Sequence, residues 1–464
     1  MANHSNSVSR IAHGAFWSSA GTIAGRLLGL ATSIVIARML GANRFGEFAI
    51  VQGTVGACSV FAGFGLGVTA TRHVAEFRRS DPARAGGVIA LSRAVALLSG
   101  SVMAAALYFF APWLAASTLA APHLAGVLRV SSALLLLGAV NGAQAGVLAG
   151  FEAFGSVAAL TIISSGLNLA LVYAGGRAYG LPGAVWGGIA AMLGTCVAYE
   201  SSIRRVARQN EVSIELNRKR FGLNILWTSS MPSTIGGLFI GPLGWAATAI
   251  LVNQPHGYHE MALFNVANQW RMAILFLPAA LGTAAMPVLA SLSGDKGCLA
   301  YKVLWGQAIV SSLLGIGVAI PIVIFSEPIM RSYGAGFAVG WRVLSILACS
   351  AAVLTFNNQV SKGIAGLGKM WASCWIDLSC GITFVLVSLL TAPRFGALGL
   401  GLAQLVAACV QSAVLTGYLR YLKPVELSGE GLLKWLWSSR PSIVTIGSAF
   451  RTTLRTKRMI SAAD

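Results

Sequence analysis

Apolar runs, each close to the length of a membrane-crossing helix, follow one another along the whole chain. A bilayer core asks for about 20 apolar residues per helix. Twelve segments meet that demand, at about 15–37, 46–70, 87–110, 125–149, 156–174, 182–203, 222–243, 260–287, 302–326, 341–364, 371–391 and 397–421. The gaps between them are only about 5 to 18 residues, so no loop is long enough to form a domain and any activity must reside within the bundle. The pattern predicts an all-α polytopic membrane protein of about 12 transmembrane helices in two parallel six-helix lobes around a central cavity. Its parts are an N-terminal segment (1–14), an N-lobe (15–203), a basic linker (204–221), a C-lobe (222–424) and a basic tail (425–464). Within the tail, EGLLKWLWSSRPSI (430–443) has the mix of Leu, Trp and basic residues expected of a helix lying in the interface plane.

The two lobes come from an internal repeat. At one constant, ungapped offset, Pro112 aligns with Pro328, Asn141 with Asn357, Ala149-Gly150 with Ala365-Gly366, Tyr179-Gly180 with Phe395-Gly396 and Gly183 with Gly399. Six helices per repeat keep the second in the same orientation as the first, which implies parallel repeats about an axis along the membrane normal. Lobes that rock against one another describe a transporter.

Composition agrees. Of 464 residues, 56% are hydrophobic and 10% are charged, against about 25% charged in soluble domains. The N-terminal segment runs into a full-length apolar span without a processing site and is expected to remain in the mature protein. A net charge of +19 would suggest nucleic acid in a soluble protein; here it marks cytoplasmic loops, and no nucleic-acid partner is expected. Lysine and arginine collect at 72–84, 204–220 and 440–458, while 110–126 and 242–260 have none and Arg38, Arg44, Arg177, Arg331 and Arg394 are thinly spread exceptions. Both termini are therefore expected in the cytoplasm. The seven cysteines lack disulfide or metal spacing, and the six histidines form no metal cluster.

Polar groups at membrane depth are costly and usually face a cavity or a partner. Arg26 shares a face of the first helix with Ser19, Thr22, Gly29 and Ser33. In the eighth, Asn265, Asn268 and Arg271 lie on one broad face beside Gln269. Two arginines facing one cavity would attract an anion, because the guanidinium fork suits phosphate oxygens. Asn141 and Gln144 in the fourth helix, and Asn357 and Asn358 in the tenth, suit either ligand contact or interhelical bonding. Asp377 is an expected partner for an arginine, or a coupling group for H+ or Na+. Arg38 and Arg44 sit where the first helix should end outside, placed for a gate or phosphate contact or for ordinary interface anchoring; Glu47 suits the start of the next helix. No Walker A, HExxH or GxSxG motif occurs, and neither a catalytic residue, a bound metal nor a cofactor is expected.

The stretch ARMLGANRFGEFAIVQGTVGACSVFAGFGLGVTATRHVAEFRR, followed by GVLAGFEAFGSVAALTIISSGLNLALVYAGGRAYGLPGAVWGGIAAM, resembles the bacterial polysaccharide transporters that flip lipid-linked oligosaccharides, such as O-antigen flippases, in the multidrug/oligosaccharidyl-lipid/polysaccharide exporter superfamily. The resemblance covers about residues 10 to 424. It implies alternating access across the bacterial inner membrane and a polyprenyl-pyrophosphate-linked glycan as cargo, moved from the cytoplasmic to the periplasmic leaflet. It also implies membrane lipids, a polysaccharide polymerase and glycosyltransferases as partners, and Arg26 and Arg271 as receivers of the pyrophosphate. This chain has few cavity cations, so that assignment rests on these two. A multidrug or small-solute antiporter, or a scaffold of a glycan synthesis complex, would share the architecture.

Overall fold

A computed structural model describes residues 2–63, 65–213, 241–291, 297–366 and 369–422, with side chains placed for 21–63, 65–213, 241–279, 304–365, 369 and 371–419. All regular elements among them are helical: α1 (Ala2–Gly63), α2 (Leu66–Ser80), α3 (Pro82–Trp113), α4 (Ala125–Ser131), α5 (Ala133–Gly150), α6 (Phe154–Gln209), α7 (Gly241–Val252), α8 (Gly257–Ser291), α9 (Gly297–Ile324), α10 (Ser326–Ser332), α11 (Trp341–Gly366) and α12 (Met370–Leu422). Most of the expected seventh helix (222–243), much of the basic linker and the tail with its interfacial helix lie outside the described residues.

Three expected loops are instead abrupt breaks inside continuous helical chain. The apolar stretches Gly21–Gly63, Phe154–Gln209 and Trp371–Leu419 hold 43, 56 and 49 residues. At about 1.5 Å per residue each far exceeds a hydrocarbon core of about 30 Å, so each must fold back. The reversals fall at Gly41 (φ 74°), at Tyr179-Gly180 (Gly180 φ 63°, ψ −137°) and at Gly396 (φ 55°, ψ −131°). Only glycine takes these backbone angles without a Cβ penalty. The second expected span also ends early. Gly65 (φ 61°) breaks it, and α2 starts anew as an amphipathic helix, burying Leu66, Thr69, Ala70, His73 and Val74 while carrying Arg78 and Arg79 in its last turn.

The repeat persists in the backbone. Gly180 and Gly396 occupy equivalent positions of the two repeats and have nearly the same dihedrals, and α5 and α11 end at the matching glycines 150 and 366. Next to each reversal the two arms touch. A methyl on Gly183 would overlap the Gly175 carbonyl oxygen, and one on Gly399 would overlap that of Thr391. Glycine is what lets each hairpin close this tightly.

The apolar core is divided unevenly. One large cluster joins both lobes at one end, packing Ile36, Phe45, Leu119 and Leu181 with Leu251, Phe264, Phe337 and Leu400. At the other end each lobe keeps its own core: Val74, Ile89, Leu148 and Ile203 in the N-lobe, Leu304, Val360, Ile376 and Leu415 in the C-lobe. The basic segments at 72–84 and 204–208 pack against this second end of the N-lobe. There Arg78 pairs with Glu152 of the α5–α6 turn. Among the described residues the lobes are thus sealed together at the end of Leu119, Leu251 and Phe337, while the cores at the basic end each stay within one lobe; α1 and α8 form the seam.

Candidate functional site

The seam encloses a cavity of about 450 Å³. Both arms of α1 line it, Gly29, Thr32 and Ser33 on one side of the Gly41 reversal and Phe45, Phe48 and Gln52 on the other; α6 adds Asn168 and α8 adds Asn265, Asn268 and Gln269. Arg26 is exposed in its wall and, among the described residues, is its one charged lining side chain. On α8, Arg271 donates from Nε to Asn268 Oδ1 (2.8 Å), and Gln269 donates from Nε2 to Asn265 Oδ1 (2.9 Å). Both asparagines therefore have their carbonyl oxygens engaged along the helix and keep their Nδ2 groups as the remaining donors. Arg271 itself does not border the cavity and reaches it through Asn268. The expected symmetrical pair of cavity arginines is thus one arginine in the wall and one behind an amide.

A second cavity of about 540 Å³ lies inside the N-lobe between α1, α5 and α6. Gly29, Thr32, Gln52 and Asn168 border both spaces. Asn141 lines this second cavity, and its buried Nδ2 has no hydrogen-bond partner in the protein; the same holds for Ser164 Oγ.

The other residues singled out from the sequence are placed elsewhere. Gln144 is buried and donates to Cys196 O (3.1 Å) and Glu200 Oε2 (3.4 Å). Asn357 is fully buried, donating to Ala408 O (2.8 Å) and Gln411 Oε1 (3.1 Å) and accepting from Ser412 Oγ (2.7 Å). It holds α11 to α12 instead of meeting a ligand. Asn358 is half-buried and borders neither cavity. Asp377 accepts from Ser361 Oγ (3.2 Å) and Gln411 Nε2 (2.8 Å), and no ion pair with an arginine occurs among the described residues. Hydroxyl and amide donors satisfy its carboxylate where an arginine was expected.

Arg38 and Arg44 stand at the sealed end. Arg38 Nε donates to Ser332 O (2.7 Å), a bond between the lobes, and Arg44 is exposed beside the Gly180 reversal. Glu47, near the start of the arm that follows the Gly41 reversal, meets His123 at 2.9 Å and so links α1 to the segment before α4. Three more bonds cross between the lobes on this side: Tyr258 OH to Leu119 O (2.6 Å), Asn253 Nδ2 to Thr118 O (2.6 Å) and, deeper, Trp245 Nε1 to Thr54 Oγ1 (2.9 Å).

Sequence reasoning missed two groups. The cavity faces of α6 at Thr161, Ser164, Ser165 and Asn168 went unnoticed, although their spacing of three and four positions was a readable signal. Arg93 on α3 and Glu200 on α6 form an ion pair (2.9 Å), and Glu200 also binds Arg204 Nε (2.9 Å). No local pattern joins partners as distant in the chain as Arg93 and Glu200.

Two repeated helical lobes, sealed at one end and lined inside by polar cavities, define a multi-pass membrane protein with the architecture of a transporter. Comparison with known proteins gives the particular family. Residues 11–293 match the model of the polysaccharide biosynthesis protein family, and the chain belongs to that family. A curated relative, the EPS I polysaccharide export inner membrane protein EpsE of Ralstonia solanacearum, is 25% identical over 385 residues, covering 82% of this chain and 86% of the relative. In fold the chain is similar to a multidrug resistance MATE family transporter of the MOP superfamily in an inward-facing conformation (TM-score 0.72, 17% identity, 87% and 96% of the two chains). It is also similar to the lipid II flippase MurJ in an inward closed conformation (TM-score 0.67, 14% identity, 87% of each chain).

Proposed function

We propose that the protein is a flippase of the bacterial inner membrane that carries a polyprenyl-pyrophosphate-linked oligosaccharide from the cytoplasmic to the periplasmic leaflet for polysaccharide assembly. The basic end, with both termini, is cytoplasmic, and the sealed end is periplasmic. The observation that carries this reading is the donor-rich wall of the seam cavity: the Arg26 guanidinium on one side and the Nδ2 groups of Asn265 and Asn268 on the other.

A pyrophosphate cannot cross hydrocarbon unaided, because its charge must leave water. A guanidinium and oriented amides replace that water, while the polyprenyl tail stays in the bilayer beside the lobes. Arg271 has a positioning task, holding Asn268 with its donor turned to the cavity. Rocking of the lobes about the α1–α8 seam then opens the sealed end and closes the basic one. No covalent step is required. A drug-type antiporter built on this frame would need acids where soluble cations bind, and the seam cavity is lined by none among the described residues.

A charge-assisted hydrogen bond contributes about 1.5–3 kcal/mol, so Arg26→Ala should weaken capture of a polyprenyl pyrophosphate about 10- to 100-fold. Isothermal titration of the purified protein in nanodiscs, with inorganic pyrophosphate as competitor, measures this. Equal affinity of Arg26→Ala and wild type would sink the assignment.

A further inference from the structure

The seam cavity accounts for an anion and leaves the larger N-lobe cavity without a task. That space, about 540 Å³, falls within the range of about 300–1,000 Å³ typical of small-ligand sites. Among the described residues, none of its lining side chains carries a charge at neutral pH: its polar surface is made of hydroxyls and amides, including Asn141, Thr161, Ser164, Ser165 and Asn168. Thr32, Thr161 and Thr195 each donate to a carbonyl of their own helix at 2.8 Å (Leu28, Val157 and Ala191). Towards the lumen these three hydroxyls therefore have acceptor lone pairs to offer. Asn141 and Ser164 border the space, and their buried Nδ2 and Oγ have no partner in the protein, so a side-chain rotation turns a free polar group to the lumen.

A phosphate is poorly served by such a wall, since no opposite charge repays its desolvation. A neutral polyhydroxyl group, donor and acceptor at every oxygen, fits the mixed wall. Position supports the same ligand, because Thr32, Gln52 and Asn168 face both this space and the one holding Arg26. A group bonded directly to a phosphate in the seam would lie at this shared border.

We infer that the N-lobe cavity is a neutral-sugar subsite, which takes the uncharged pyranose unit next to the pyrophosphate while the seam cavity takes the phosphates. The inference rests on the reading given under Proposed function and adds the source of selectivity for glycan-bearing over bare lipid. Bare lipid pyrophosphate would engage the seam alone. The glycosylated form would engage both spaces, so carriage of the lipid before its first sugar is attached would be disfavoured.

The test uses the full-length protein in nanodiscs and two probes, polyprenyl pyrophosphate and the same lipid bearing one neutral hexose. In wild type the hexose should tighten binding about tenfold, the worth of one or two neutral hydrogen bonds. In the paired variant Asn141→Leu with Ser164→Val, the gain should fall below about twofold, while affinity for the bare lipid stays within about twofold of wild type. Asn141→Ser, a milder change that keeps a small polar group, should lower the gain in the same direction and decides the matter if the paired variant does not fold. An undiminished gain in Asn141→Ser, or equal binding of both probes by wild type, overturns the subsite and leaves the cavity as a hydrated space only. Failure of wild type to bind either probe would instead overturn the pyrophosphate reading, and the subsite with it.

Discussion

The sealed end holds the most direct prediction about motion. Tyr258 OH and Asn253 Nδ2 donate to the carbonyls of Leu119 and Thr118, each at 2.6 Å and each from one lobe to the other. An opening of this end must break both. A neutral hydrogen bond contributes about 0.5–1.5 kcal/mol net, so removing the two with Tyr258→Phe and Asn253→Ala should cost the sealed state about 1–3 kcal/mol. The ratio of open to sealed molecules then rises about 5- to 150-fold. The acceptors are neighbours in sequence, so the pair is treated as one unit and not as a sum of independent parts. Spin labels at positions 113 and 339, which are 62% and 70% exposed on opposite lobes near this end, would report the distance distribution by electron–electron resonance in a background with the native cysteines replaced. A new long-distance population in the double variant is expected. An unchanged distribution in a folded, monodisperse double variant would show that these bonds do not hold the end closed.

Three further outcomes are expected. Glu200→Gln leaves Arg93 with a weaker partner at 23–25% side-chain exposure and should lower stability by about 1–2 kcal/mol, seen as a fall in thermal midpoint in detergent; recovery on adding Arg93→Met is expected, and an unaltered midpoint in the single variant would remove the ion pair from the account. Gly183→Val or Gly399→Val should drive the hairpin arms apart at a cost of about 1–3 kcal/mol, while Gly417→Ala, with open space around it, should leave folded yield unaffected; equal yields for all three would refute the close-packing argument. Asp377→Ala strips acceptors from Ser361 and Gln411 and should lower the thermal midpoint without changing affinity for polyprenyl pyrophosphate, whereas a tenfold loss of affinity would assign Asp377 to the binding site.

The spans and the internal repeat were legible because bilayer thickness and backbone reversal impose strong local rules on a sequence. The rules mark where a chain must turn, but not how: Gly41, Gly180 and Gly396 were read as parts of loops, and each is a single reversal inside continuous helix. Arg26 was legible as a lone cation on a small, polar helix face. Arg271 was read by the same logic as its twin, and its place behind Asn268 depends on a rotamer choice that no spacing encodes. Asn141 and Asn357 show the limit most clearly. They match in the repeat, yet Asn357 is consumed by bonds to α12 whereas Asn141 faces a cavity, because Gln411 and Ser412 in the second lobe are replaced by Thr195 and Cys196 in the first. Serines and threonines of α6 escaped notice because such hydroxyls commonly bond their own helix, although their spacing of three and four positions marks one face.

The central claim is transport of a lipid-linked glycan between leaflets, and it is most directly tested in proteoliposomes containing the purified protein and a fluorescent polyprenyl-pyrophosphate oligosaccharide. Exposure of the glycan on each leaflet would be followed with a membrane-impermeant oxidant or lectin. The account predicts protein-dependent transfer that falls about 10- to 100-fold in Arg26→Ala, in proportion to the lost phosphate contact. Absence of transfer by wild type under imposed H+ and Na+ gradients, or transfer at the same rate in Arg26→Ala, would contradict it.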